Sequence, residues 1–427
     1  MKKVAFHTLG CKVNYYDECW IRENLPAGFE EVKFTEKADF YIINSCAVTK
    51  KAQMESRRYA HQAKRRNPEA RVIYTGCGAE IADEDLIEKG WADFVIGTSM
   101  KEKVIDAVKG AITPGIYRAN SRKMKEVKCF GTTSFTTTRG FLKIQEGCDL
   151  MCTYCIVPYT RGKSRSVPVK IVIGELEKLF RMGFKEVVIT GIHLGLYGKD
   201  TGESLEELLK EIARREDFTR IRLTSLDPHE VSDEMLKIIA DSRNIMPHFH
   251  LSFQSGCDIL LKRMGRRYTV KDLENVVNKI RRLFDNPSIG VDVIVGFPGE
   301  TDEMFKKTKE LLEKLEINYI HPFTYSDRPG TPSTKFPGRV DPVVKHERIR
   351  EMKLLDSKLR EKWAEKNLNR QLNVLTEEIK EGYWFGYGEN YLPVLIHPDD
   401  RVEANNIYRV KVIQRRGKYG IGKVIRT

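Results

Sequence analysis

Six times between residues 141 and 323 a short apolar run interrupts a chain that otherwise reads as helix. The runs lie at 141–146, 186–191, 220–225, 248–253, 290–296 and 319–323. Helical periodicity fills 170–182, 205–214, 233–241, 270–284 and 303–315, and a last helix is expected at 345–366. Successive right-handed βα units either wind to both sides of an open sheet or curl into a barrel. Six units fall short of the eight in a complete barrel. The expected form is therefore a partial (β/α)6 barrel, open on one side and able to admit a large substrate.

The flanking segments differ in pattern. Residues 1–128 alternate apolar runs (VAFHTL, DFYIINS, RVIYTG, DFVIG) with helical stretches at 17–24 and 51–67. That alternation predicts a small parallel α/β domain of Rossmann or flavodoxin type. Residues 118–138 are rich in Lys, Ser and Thr and weakly periodic, and read as a linker or an added hairpin. Residues 368–427 carry short alternating runs (LNVLTEEI, YLPVLI, IYRVKVIQ, YGIGKVI) separated by Gly and Asn. They predict a small OB-like β-barrel, a shape often used to bind RNA. The expected domains are thus 1–128, 139–367 and 368–427.

Cys148, Cys152 and Cys155 follow the first barrel run as C-x3-C-x2-C. Fe–S clusters are held by cysteine thiolates, and a complete protein shell takes four. Three thiolates this close can grip three corners of a [4Fe–4S] cube and leave one iron open. The competing reading is zinc, which needs four ligands in structural sites. The next histidine after Cys155 is His193, far along the chain.

Cys11, Cys46 and Cys77 form a second set. Each ends a predicted strand (VAFHTLGC, FYIINSC, VIYTGC). Strand C-termini of a parallel α/β sheet line up along one edge, where ligands bind. Gly10 and Gly76 precede two of these cysteines and let the backbone approach a bulky ligand. Burial of three structural thiols is the plainer reading; a second [4Fe–4S] cluster with an open iron is the one favoured by their common level. Cys19, Cys129 and Cys257 fit neither set. Nine cysteines in so long a chain point to metal or catalysis in a reducing compartment rather than a disulfide framework.

Lys and Arg number 73 against 60 Asp and Glu, a net charge of +13 that favours polyanionic partners. The surplus concentrates at the end: residues 404–427 hold seven Lys or Arg and no acid, interleaved with Tyr408 and Tyr419. Arg409, Lys411, Arg415 and Arg416 are candidate RNA contacts. Arg161 and Arg165, with Lys163, and Arg266 and Arg267, with Lys262 and Arg263, are two further basic groups that can grip phosphate or a carboxylate. No secretory signal and no membrane-length apolar run is visible, so a cytoplasmic protein without membrane partners is expected.

The words HTLGCKVN (7–14), INSCAVT (43–49), YTGC (74–77), KIQEGCDLMCTYCIVPYTRGKSRS (143–166), TGIHLGLYG (190–198), FQSGCDILLKRMGRRYT (253–269) and DVIVGFPGET (292–301) resemble the radical S-adenosylmethionine (SAM) methylthiotransferases over the whole chain. Tyr154 and Pro158 around the last cysteine match the radical SAM pattern, and the last segment resembles the TRAM domain. GCKVN looks most like the subfamily acting on N6-threonylcarbamoyladenosine in tRNA; isopentenyladenosine enzymes tend towards GCQMN and ribosomal-protein enzymes towards GCPKN. Ser45, Ala47, Gly78, Glu80 and Cys257 depart from the usual words and leave all six ligand cysteines in place.

The resemblance implies two [4Fe–4S] clusters, one on each cysteine set, and SAM as methyl donor and radical source. A methylthio group would enter carbon 2 of the adenosine 3′ of the anticodon. It implies SAM contacts from Tyr154, Thr190, Gly191, Gln254, Ser255, Gly256, Val295, Gly296 and Phe297. The implied partners are the tRNA anticodon stem-loop and an external reductant. Isopentenyladenosine in tRNA or an aspartate of a ribosomal protein are the alternative substrates. A non-catalytic RNA-binding metal protein is the alternative of another class. The GFPGE loop lacks the Lys-Ser/Thr ending of a nucleotide-binding loop.

Overall fold

In a computed structural model the chain is described over residues 1–81, 85–398 and 401–425. Six strands open the chain: β1 (Lys2–Thr8), β2 (Phe29–Glu31), β3 (Phe40–Ser45), β4 (Arg71–Gly76), β5 (Phe94–Ile96) and β6 (Gly115–Tyr117). They form one sheet in the order β2-β1-β3-β4-β5-β6, parallel throughout. Every residue of β3 is buried because helices cover both faces, so its sequence is a continuous apolar run rather than an alternating one. Helix α1 (Lys12–Glu23) follows β1, and α2 (Lys50–Arg66) follows β3, started by the Thr49 side chain accepting from the Ala52 amide.

The next strands are β7 (Gly140–Glu146), β8 (Arg165–Ser166), β9 (Val187–Gly191), β10 (Ile221–Leu223), β11 (His248–Gln254), β12 (Ser288–Val295) and β13 (Tyr319–Thr324). They pair as β10-β9-β7-β8 and β11-β12-β13. Isolated parallel bridges, Ile221 to Ile245 and Leu226 to Leu251, join the two groups. Apart from the short antiparallel edge strand β8, the strands run parallel and alternate with helices, which is the expected partial barrel. Its wall is one continuous apolar core fed by every strand except β8 and by amphipathic helices such as Leu205–Ala213 and Val270–Leu283, both begun by capping boxes.

Helix Pro342–Lys366 crosses from this core to the last unit, where it delivers Trp363 and Ala364 into a second apolar cluster. That unit is a closed barrel of β14 (Gln371–Lys380), β15 (Tyr383–Gly388), β16 (Pro393–Ile396), β17 (Ile407–Arg416) and β18 (Tyr419–Val424), in the order β14-β15-β16-β18-β17. Arg139 pairs with Glu377 at 2.8 Å, half-buried, and buried Arg222 donates to the carbonyls of Gly388 and Glu389, so polar contacts bind the barrels.

Residues 118–138 depart from expectation. No hairpin forms among them; a single 3-10 turn, Ser121–Lys123, is followed by irregular chain. Ser121, Cys129 and Thr132 are buried. The segment is tied to α1, with Thr132 and Thr133 donating to Glu23 and the Gly131 amide donating to the Tyr16 hydroxyl. Side-chain acceptors on a neighbouring helix satisfy its backbone in place of a strand partner.

Candidate active site

Strands β1, β3 and β4 are neighbours, so Cys11, Cys46 and Cys77 emerge at one edge of the first sheet. Cys11 precedes α1, Cys46 directly follows β3, and Cys77 directly follows β4. Gly10 has φ +107°, and a Cβ there would sit 3.1 Å from the Cys46 sulfur. Only glycine permits both that backbone and that approach. Burial pushes the Cys46 thiol up to about 12, and the nearby Cys77 and Cys11 add to the shift. A metal binding here must displace that proton.

The second set is held by the turn after β7. Gly147, at φ +77°, brings the chain so close to the returning segment that a Cβ would lie 1.9 Å from the Lys163 carbonyl oxygen. The Cys148 amide donates to the Gly162 carbonyl at 3.0 Å and the Cys155 amide to the Cys152 carbonyl at 3.0 Å. Burial raises Cys155 to about 12. Burial also raises Cys152, opposed by Arg266, whose Nη1 donates to its sulfur at 3.3 Å.

His193 lies beside Cys148, although more than a whole βα unit separates them in sequence. Burial works against a charged ring, yet hydrogen bonds to Cys148 and to Glu230 (2.6 Å) raise His193 to about 10. Separation in sequence is therefore no argument against zinc: the fold brings a histidine beside Cys148, with its other partner Glu230.

The two cysteine sets meet. Cys77 packs with Ala47 and Ile156, the residue after Cys155, in one small apolar group. A cavity of about 560 Å³ is lined by Cys11 and Cys46 from the first sheet, by Thr190, Gly191, His248 and Phe323 from the partial barrel, and by Tyr391 from the last barrel. A second cavity of about 230 Å³ holds Tyr154, Cys155, Gln254, Asp292 and Ile294. Val48, Thr49 and Phe323 line both, so the two spaces adjoin. Cys11 and Cys46 line one cavity and Cys155 the other, and each cysteine set has an arginine on a sulfur (Arg161 on Cys77, Arg266 on Cys152), a donor set that fits anionic clusters.

Of the expected SAM contacts, Tyr154, Thr190, Gly191 and Gln254 line these cavities. The others do not. The Gly256 amide donates to Thr308 at 3.0 Å and Ser255 approaches the same hydroxyl at 3.4 Å, so both face the helix Asp302–Lys314. Val295 is fully buried in the aliphatic core, and the Gly296 amide donates to Glu300. Phe297 sets its ring against Tyr154, 6.3 Å between centroids.

The basic candidates divide sharply. Arg161 is fully buried, with Nη2 donating to Asn14 (2.5 Å) and Asp17 (3.0 Å), Nη1 to Glu146, and Nε to the Cys77 sulfur (3.2 Å). Arg165 is buried against Glu146 and the carbonyls of Arg161 and Lys163. Arg266 pairs with Asp227 and faces Cys152. None of the three is open to a phosphate backbone: each is spent on internal acids and sulfurs. Arg267, Arg409, Lys411, Arg415 and Arg416 are exposed.

Several residues of the site escaped the sequence reading. His248 and His250 alternate inwards on β11, and His250 meets Asp292 of β12 at 2.9 Å. Burial would raise Asp292, but His250 and His321 hold its carboxyl well below the usual range. A polar residue at every second position of an apolar strand is a legible signal for these two. Tyr391 had none, because its approach to His248 (4.2 Å between rings) exists only through docking of the last barrel. Lys12 stands within the GCKVN word and lines the larger cavity.

Two family models match the chain: the Radical SAM superfamily over residues 142–312 and Uncharacterized protein family UPF0004 over residues 3–97. The chain is 42% identical to the "Threonylcarbamoyladenosine tRNA methylthiotransferase MtaB" of Aquifex aeolicus, over 88% of this chain and 93% of that one. It is 35% identical to the protein of the same name from Bacillus subtilis, over 100% and 97%. Among solved structures, the radical S-adenosylmethionine methyltransferase TsrM from Kitasatospora setae shares the fold, with a TM-score of 0.55, 16% identity, and coverage of 78% of this chain and 77% of that one.

Proposed function

The chain belongs to the radical SAM methylthiotransferase family, and from that premise we propose that it inserts a methylthio group at carbon 2 of N6-threonylcarbamoyladenosine, beside the anticodon of tRNA. The observation that carries this reading is the single cavity bordered by Cys11 and Cys46 on one wall and by Thr190 and Gly191 on the other. A reaction that joins sulfur chemistry to C–H activation needs both centres to reach one substrate carbon.

Cys11, Cys46 and Cys77 would hold one [4Fe–4S] cluster, and Cys148, Cys152 and Cys155 the other. When bound, the clusters and SAM supply the sulfur, the methyl group and the one-electron cleavage that makes a radical. The chain's own residues position and enclose. Arg161 and Arg266 place positive charge on ligand sulfurs, which favours the thiolate form. Tyr154, Thr190, Gly191 and Gln254 line the space where SAM would lie. Val48, Thr49 and Phe323 line the junction of the two cavities.

The functional units are taken as residues 1–128, 139–367 and 368–427. Exposed Arg409, Lys411, Arg415 and Arg416 on the last unit would grip the anticodon stem-loop, aided by Arg267. An external reductant must supply the electrons, and a cytoplasmic setting suits a reduced, tRNA-directed enzyme; no described helix is long and apolar enough to cross a membrane. Isopentenyladenosine in tRNA and a ribosomal-protein aspartate are the competing substrates.

The test is anaerobic reconstitution of the full chain with tRNA bearing each adenosine modification. About eight irons per chain and a mass gain of one methylthio group on the threonylcarbamoyl nucleoside are expected. Product only on isopentenyladenosine or on ribosomal protein would replace the substrate; an iron-poor, inactive sample would end the reading.

A further inference from the structure

Lys12 follows Cys11 on the first turn of α1 and lines the 560 Å³ cavity. It lies close enough to Tyr391 and Asp292 to sense both electrostatically. Among the described residues it has no hydrogen-bond or ion-pair partner within contact distance. The neighbouring cations are committed. Arg139 pairs with Glu377, and Arg222 donates to Glu186 and to the carbonyls of Gly388 and Glu389. Asp292 is likewise committed to His250. The remaining lining combines aromatic and apolar side chains (His248, Tyr319, Phe323, Tyr391, Val13 and Val48) with the hydroxyls of Thr190, Thr224 and Ser225, while His250 and His321 face Asp292.

Lys12 is exposed on the cavity wall, and its ammonium can meet an anionic ligand that enters there. Aromatic walls suit a purine. Of the tRNA adenosine modifications weighed above, the threonylcarbamoyl group ends in a carboxylate and the isopentenyl group carries no charge. We propose that Lys12 is the carboxylate-binding residue of the substrate site, gripping the threonine carboxylate of the modified adenosine while Tyr391 and His248 flank the base. This rests on the tRNA reading and goes beyond it, because it assigns the choice between adenosine modifications to one side chain of the first domain. Lys12 occupies the first of the two variable positions of the GC-x-x-N word, next to Cys11, so the residue that reads the substituent is fixed relative to the first cysteine set.

The test uses the anaerobically reconstituted full chain and three anticodon stem-loops that differ only in the target adenosine: unmodified, threonylcarbamoylated, and the methyl ester of the latter. Equilibrium binding is read alongside iron content, which reports intact clusters. Wild type is expected to prefer the acid over the ester by about tenfold or more, the range of a charged hydrogen bond. Lys12→Gln should abolish that preference while keeping the ester affinity, and Lys12→Arg should retain most of it. An unchanged acid-to-ester ratio in Lys12→Gln overturns the assignment. Equal weakening towards all three stem-loops also overturns it, since that marks a backbone phosphate contact. If wild type methylthiolates none of the threonylcarbamoylated RNA, the proposed function fails instead, whatever Lys12 does.

Discussion

Arg161 Nε donates to the sulfur of Cys77 at 3.2 Å, linking the loop after one cysteine set to a member of the other. The same guanidinium bonds Asn14 and Asp17 of α1 and Glu146 at the end of β7. It is a positioning residue that joins both centres. Arg161→Ala should leave two buried carboxylates short of charge and destabilise the fold by about 3–5 kcal/mol. Arg161→Lys keeps a charge but loses the fork. In this milder variant iron should fall from about eight towards about four per chain while SAM cleavage persists. Full iron and full product in Arg161→Lys would show that the sulfur contact is incidental.

The cysteine sets should separate by function. Cys152→Ala is expected to abolish SAM cleavage altogether. Cys46→Ala should preserve cleavage, measured as 5′-deoxyadenosine, and stop methylthiolation, measured by nucleoside mass spectrometry. Product at wild-type level from Cys46→Ala would remove the first set from the chemistry.

Asp17 accepts from Lys101 and Lys143 at 2.5 Å each and from Arg161 at 3.0 Å. Burial alone would raise its carboxyl, but the three cations hold it far below its ordinary 3.8. A depressed carboxylate contributes stability that is complete above its unfolded value and is lost as pH falls through the folded one. Asp17→Asn should therefore lower stability by about 3–5 kcal/mol near neutrality. The gap to wild type should stay flat between about pH 5 and 8 and narrow only in strong acid. Thermal unfolding across pH measures this; a gap that closes near pH 6 would place the coupling elsewhere.

Arg409 and Lys411 point outwards from β17 while Val410 and Val412 fill the barrel core. Replacing both with Ala should lower the slope of log affinity for tRNA against log salt by roughly 0.7–0.9 per lost phosphate contact. Arg415 and Arg416 meet Glu361, Glu365 and Glu381 and should contribute less. A double variant with an unaltered salt slope would move the RNA contact off this barrel.

Much of the architecture is local and was legible. The six βα runs, the three strand-end cysteines and the alternating pattern of the last barrel each depend on residues close in sequence, because helix and strand periods are local properties. Arg161, Arg165 and Arg266 were misread for the same reason. A basic cluster in sequence says nothing about whether acids such as Asp17, Glu146 and Asp227 and the sulfurs of Cys77 and Cys152 will enclose it. The expected SAM contacts split likewise: Thr190 and Gln254 face the cavity, whereas Ser255 and Gly256 turn to a helix that packs behind them.

The order of residues alone determined the two cysteine sets and, for Cys11, Cys46 and Cys77, the sheet edge at which they stand, since strand ends align once strands run parallel. Only the packed molecule decided that His193 reaches Cys148, that Arg161 bridges to Cys77, and that Lys12 and Tyr391 share a wall of one cavity. Those meetings join units far apart along the chain. They arise from burial between units, where every charge must find a partner from another element, and no local pattern records which element that is.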